Sequence, residues 1–141
     1  MVQFEWSEVK KIIRKEINNI YSECIKSKRL YREMDLHAQL YSRLNKILEK
    51  DNNWRIFNNL GLPRLPPRKD GRFVDMILIN NGSPKIAIEI KMWGPTKKMM
   101  NRDIRKLRLI KKQYPSIRHC FFILFYHGLE DKPPKSERGI S

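Results

Sequence analysis

Arg72-Phe73-Val74-Asp75-Met76-Ile77-Leu78-Ile79, Asn80-Asn81-Gly82-Ser83-Pro84 and Lys85-Ile86-Ala87-Ile88-Glu89-Ile90-Lys91 follow one another without a break. Two β-branched, apolar runs around an Asn-Gly turn read as a β-hairpin. Alternation places Asp75 on one face of its strand with Phe73 and Ile77. In the partner strand Glu89 and Lys91 share a face with Ala87, while Ile86, Ile88 and Ile90 point the other way. Three charges therefore interrupt strands that otherwise read as buried on both sides. Asp75 and Glu89 close together are unfavourable unless something neutralises them. A divalent cation with oxygen ligands does so, and the carbonyl of Ile90 offers a further ligand between the two side chains. Lys91, two residues beyond Glu89, is placed to orient or deprotonate an attacking water, whose pKa a metal lowers to about 7.

Downstream, residues 96–113 carry Met100, Ile104, Leu107 and Ile110 at helical spacing. Lys98, Arg102, Arg105, Arg108 and Lys112 occupy the rest of that helix, and Pro115 stops it. Residues 118–126 are almost continuously apolar and predict a buried strand. The strand–helix–strand step is a crossover, which sets this last strand parallel to 85–91. Upstream, Val9, Ile12, Ile13, Ile17, Ile20, Tyr21, Cys24 and Ile25 predict a helix over 7–27, capped by Ser7. A second helix over 31–50 buries Leu36, Leu40, Leu44, Ile47 and Leu48, with Glu33 at the head of its stripe, one turn before His37. Residues 54–57 read as a short strand and 58–71 as a loop, rich in Gly and Pro and carrying Arg64, Arg68 and Lys69. The tail from His127 reads as irregular. The fold class is α/β: a central mixed four-stranded sheet flanked by helices, with an extra N-terminal helix. One domain spans 1–141, with an extension at 1–30, a core at 31–126 and a tail at 127–141.

The charge narrows the partners. Lys and Arg number 30 against 15 Asp and Glu, a net +15 on 141 residues. Such an excess repels itself unless a polyanion is near, and nucleic acid releases counterions when it binds. An anionic membrane surface is a weaker reading, and no apolar run reaches membrane-spanning length. The first residues lack a basic start followed by an apolar stretch, so a cytoplasmic, soluble protein is expected. Cys24 and Cys120 have no Cys or His at zinc-finger spacing and read as buried apolar residues. Trp54 and Trp93 read as packing residues before base-stacking ones.

Asp75, the hairpin and Glu89-Ile90-Lys91 resemble the signature of the PD-(D/E)XK nucleases. The resemblance runs from Glu33 to Tyr126 and implies a restriction endonuclease-like core. It implies that Asp75 and Glu89 bind Mg²⁺ or Mn²⁺ and that Lys91 is catalytic. The superfamily often adds a glutamate from the first core helix; Glu33 is the best match, with Glu23 behind it. Asp103-Ile104-Arg105-Lys106-Leu107 resembles the Asp-x-x-Lys-Leu start of the second core helix in several members. Val74 stands where many members have proline. Gln113-Tyr114 lacks the spacing of the RecB-type glutamine–tyrosine motif.

The expected activity is divalent-metal-dependent hydrolysis of phosphodiester bonds, with DNA favoured. Asp75, Glu89 and Lys91 form the catalytic set, and Asp75, Glu89, Ile90 and Glu33 form the metal set. Arg64, Arg68, Lys69, Arg72, Lys98, Arg102 and Arg105 contact phosphates. A homodimer through the N-terminal helix would serve two strands. Blander readings stand beside these. Glu89 and Lys91 also suit an exposed ion pair on a wet sheet face, Glu33 suits a helix N-terminus, and His37 suits plain helix packing. A nucleic-acid-binding module without turnover, or a basic protein docked on an acidic partner, completes the alternatives.

Overall fold

The computed structural model describes residues 2–25, 33–61, 73–92, 97–125 and 138–140. The hairpin forms from β2 (Phe73–Asn80) and β3 (Ser83–Met92). Asn81 and Gly82 take φ values of 50° and 79°. Positive φ at both central residues is what a two-residue type I′ turn requires, and it matches the twist of the flanking strands. β1 (Trp54–Gly61) lies antiparallel to β2 from Trp54↔Asn80 to Gly61↔Phe73. It is longer than the 54–57 strand expected. Asn58-Asn59-Leu60-Gly61 has weak strand propensity, but β2 supplies a ladder that holds it extended.

Helix α3 (Lys97–Gln113) crosses back to β4 (His119–Phe125), which runs parallel to β3. A three-residue strand, β5 (Arg138–Ile140), pairs antiparallel with the outer edge of β4. The tail is therefore not irregular throughout, and the sheet has five strands in the order β1-β2-β3-β4-β5. The architecture is α/β with a mixed sheet.

One sheet face is covered by α1 (Trp6–Ile20) and α2 (Glu33–Leu48). Their stripes Val9, Ile13, Ile17, Ile20 and Leu36, Leu40, Leu44, Leu48 pack on Met76, Leu78, Ile88, Ile90, Phe121 and Phe125. The other face packs Ile77, Ala87, Cys120 and Phe122 against Leu107 and Ile110 of α3. β4 is buried along its whole length because helices lie on both sides of it. Each such large side chain contributes on the order of 2 kcal/mol through burial.

α1 starts one residue before Ser7, with Glu5 at the cap position. The Glu8 carboxylate accepts a hydrogen bond from the Glu5 N–H at 3.4 Å. The helix ends in a π-helical turn, Tyr21–Ile25, that buries Cys24. Its apolar stripe is consumed inside the domain, so the face left for the expected homodimer contact is the polar one. Asp51 accepts from the N–H groups of Phe4 (2.8 Å) and Asn53 (3.0 Å), which hold its carboxyl below the usual range. Trp54 donates its indole N–H to the Phe4 carbonyl and is 2% exposed, a packing residue as expected. Among the described residues, no helix is long and apolar enough to cross a membrane.

Candidate active site

The hairpin ladder runs from Asn80↔Ser83 to Met76↔Ile88, with one register shift between Ile79 and Leu78. One step further, Asp75 and Glu89 would face each other. The side chains take over there. The Asp75 N–H donates to Glu89 Oε1 at 3.3 Å, and the Ile90 N–H donates to Asp75 Oδ2 at 2.7 Å. Two backbone donors released from the ladder are thus satisfied by the two carboxylates, as buried N–H groups require. Strand alternation also lapses here. Val74, expected with Met76 and Leu78, packs in the α3-side core beside Ile77. The gap between β2 and β3 is where the two acids meet.

Each acid then has a different neighbour. Asp75 Oδ2 lies 3.6 Å from His37 Nε2 of α2, and that same nitrogen lies 3.8 Å from Glu33 Oε1, one turn earlier. His37 Nε2 is buried without a hydrogen-bond partner. Glu89 is 2% exposed and faces α3, where Lys106 Nζ stands 2.7 Å from its Oε1. Lys91, on the same side, lies 3.4 Å from Asp103 Oδ2 of α3. Two residues of β3 and two of α3 therefore form paired contacts of alternating sign.

Burial, followed by the charge of Asp75, pushes the Glu89 carboxyl up to about 8, although Lys106 pulls it the other way. One ammonium does not offset a buried pair of acids. Burial opposes the charge on Lys91, but Asp103, Glu33 and Glu89 together outweigh it and raise its pKa. Lys91 is thus held as an ammonium, fixed in an acidic setting.

The expected residues sort clearly. Asp75, Glu89 and Lys91 converge at one end of the β2–β3 gap. Glu33 reaches the cluster through His37. Ile90 turns its side chain into the core, and its N–H is the group that meets Asp75. Glu23 is far more exposed and pairs with Arg43 at 2.6 Å. Lys98, Arg102 and Arg105 are exposed on α3. Arg64, Arg68, Lys69, Arg72 and Trp93 lie outside the described residues. His37, Lys106 and Asp103 join the site in addition to the expected residues. The i,i+4 spacing of Glu33 and His37, and the i,i+3 spacing of Asp103 and Lys106, were the available signals.

Among the described residues, no three His, Cys, Asp or Glu side chains close into a ready metal-ligand set. A Mg²⁺ ion does not require one, since it takes one or two carboxylates and fills the rest with water and substrate phosphate. The carboxylates of Asp75 and Glu89 are oxygen donors of that kind. No family model, curated protein or solved structure matches the chain.

Proposed function

We propose that this protein is a divalent-metal-dependent nuclease of the PD-(D/E)XK type, hydrolysing phosphodiester bonds with DNA as the favoured substrate. The observation that carries this reading is the meeting of Asp75 and Glu89 where β2 and β3 part, with Lys91 on the same side as Glu89. Asp75 and Glu89 would hold Mg²⁺ or Mn²⁺, which supplies Lewis-acid polarisation of a phosphate and acidifies water. Glu33 and His37 supply outer support for Asp75. Lys91, fixed by Asp103, presents an ammonium that orients the attacking water and offsets charge developing on the phosphate. The exposed Lys98, Arg102 and Arg105 of α3 draw the polyanion by counterion release.

A second reading has one observation in its favour. Lys106 already sits on Glu89 at 2.7 Å, a charge balance that suits a nucleic-acid-binding domain without turnover. The test is a cleavage screen with Mg²⁺ and Mn²⁺ on linear, single-stranded, flap and four-way DNA, with RNA alongside. Metal-dependent cutting that disappears in Asp75→Ala and Lys91→Ala is expected. Cutting that survives both substitutions would remove this site from the reaction, and salt-sensitive binding without any cutting would favour the second reading.

A further inference from the structure

The apposition of Asp75 and Glu89 poses a physical question. Two acids meeting in a gap between strands, one of them 2% exposed, require a compensating positive charge. The structure supplies one from within the chain. Lys106 Nζ lies 2.7 Å from Glu89 Oε1, on the α3 side of the sheet. Its neighbour one turn earlier, Asp103, engages Lys91 at 3.4 Å. Asp103 is 5% exposed, and Lys91 is its ion-pair partner on this side of the site. Lys106 is the cation in direct contact with Glu89.

We infer that the Lys106 ammonium is a built-in counter-ion at the Asp75–Glu89 pair and competes with a divalent cation for Glu89. This rests on the proposed cation site and adds a role that the site residues alone do not define. Two positive groups cannot share one buried carboxylate oxygen without strong repulsion, because Coulomb energies rise steeply at such separations in a partly desolvated site. A cation that binds through Glu89 Oε1 thus displaces the ammonium from that oxygen. Lys106 is half-buried, with 20% of its side chain exposed, so its flexible stem has solvent to move into. There its charge becomes available to a phosphate oxygen arriving with the substrate. The chain keeps a cationic group on Glu89 in the absence of the divalent cation and releases that group when the cation arrives.

The test is Mn²⁺ binding to the full chain, followed through the loss of the free-ion electron paramagnetic resonance signal, with no nucleic acid present. Lys106→Met keeps the stem and removes the charge, and Lys106→Gln is a polar second variant. Circular dichroism monitors folding with and without Mn²⁺. Compared at a pH where Glu89 is ionised in all three chains, both variants are expected to bind Mn²⁺ about tenfold or more tightly than the parent chain, from loss of the competing charge. A variant that folds only once Mn²⁺ is added also supports the inference, since the metal then replaces the missing ammonium. If the parent chain binds Mn²⁺ through Asp75 and Glu89 but both variants bind no more tightly, the competition is overturned while the cation site stands. If neither parent nor variants bind Mn²⁺, the cation site itself fails and the inference falls with it.

Discussion

Asp75 and Glu89 each accept a hydrogen bond from the backbone of the other's strand, at 2.7 Å from the Ile90 N–H and 3.3 Å from the Asp75 N–H. The exchange replaces the last rungs of the hairpin ladder. It forces two carboxylates together, and it raises the pKa of Glu89 to about 8 through burial first and Asp75 second. Between about 4.5, its ordinary value, and 8, the folded chain retains a proton that the unfolded chain has released. Stability of the metal-free protein therefore falls as pH rises through that window. Glu89→Gln keeps an oxygen acceptor for the Asp75 N–H and is expected to flatten this fall. Urea denaturation from pH 5 to 8 in chelator, parent against variant, measures it; parallel curves would contradict the assignment.

The Lys91–Asp103 contact at 3.4 Å yields a kinetic expectation. Lys91→Ala is expected to lower cleavage about a hundredfold or more, as for loss of a proton-transfer or charge-stabilising group. Asp103→Asn releases Lys91 without removing it, so a smaller loss is expected, in the rate constant at saturating DNA rather than in DNA affinity. Single-turnover cleavage beside a binding titration separates the two. Equal losses in both variants would mean that Asp103 does more than position the lysine.

Nucleic-acid affinity should depend on α3. Lys98, Arg102 and Arg105 are exposed there, and none stands among the site contacts. Replacing all three by Gln is expected to reduce the slope of log K against log salt by about two to three for duplex DNA. Fluorescence anisotropy from low to moderate salt reads that slope. An unchanged slope would move the contact surface away from this helix.

His119 gives a pH effect at the other end of β4. It is 3% exposed and packs edge-on to Phe121 with ring centroids 4.4 Å apart. Burial first, then the charges of Lys10, Arg14 and Lys111, lower its pKa to about 4 from 6.5. Its folded form is neutral, so the stability it contributes is present above 6.5 and is lost as pH falls through 6.5 towards 4. His119→Phe is expected to weaken acid destabilisation across that interval, measured by thermal melts at pH 4.5 and 6.5. An unchanged difference between the two melts would count against it.

The hairpin was legible because its information is local. Asn81-Gly82 sets a turn, alternation sets the faces, and Glu89-x-Lys91 follows from spacing alone. The crossover that makes β4 parallel to β3 was legible too, since a strand, a helix of this length and a buried strand leave little alternative. The cap of α1 lies at Glu5 and not at Ser7, because Glu5 and Glu8 supply the cap contact. β1 was cut short because Asn58 to Gly61 look like a turn until β2 is laid beside them.

Backbone periods of two and 3.6 residues made most shared strand and helix faces legible, with Val74 as the exception where alternation lapses. The sequence by itself placed Glu89 with Lys91, and it placed Asp103 one helical turn from Lys106. That these two pairs meet, Lys106 on Glu89 and Asp103 on Lys91, and that His37 lands beside Asp75, is a matter of packing. Such contacts depend on where the crossover lays α3 over the sheet and where β2 leaves β3. No local period encodes either, since both arise from packing between segments distant in the chain.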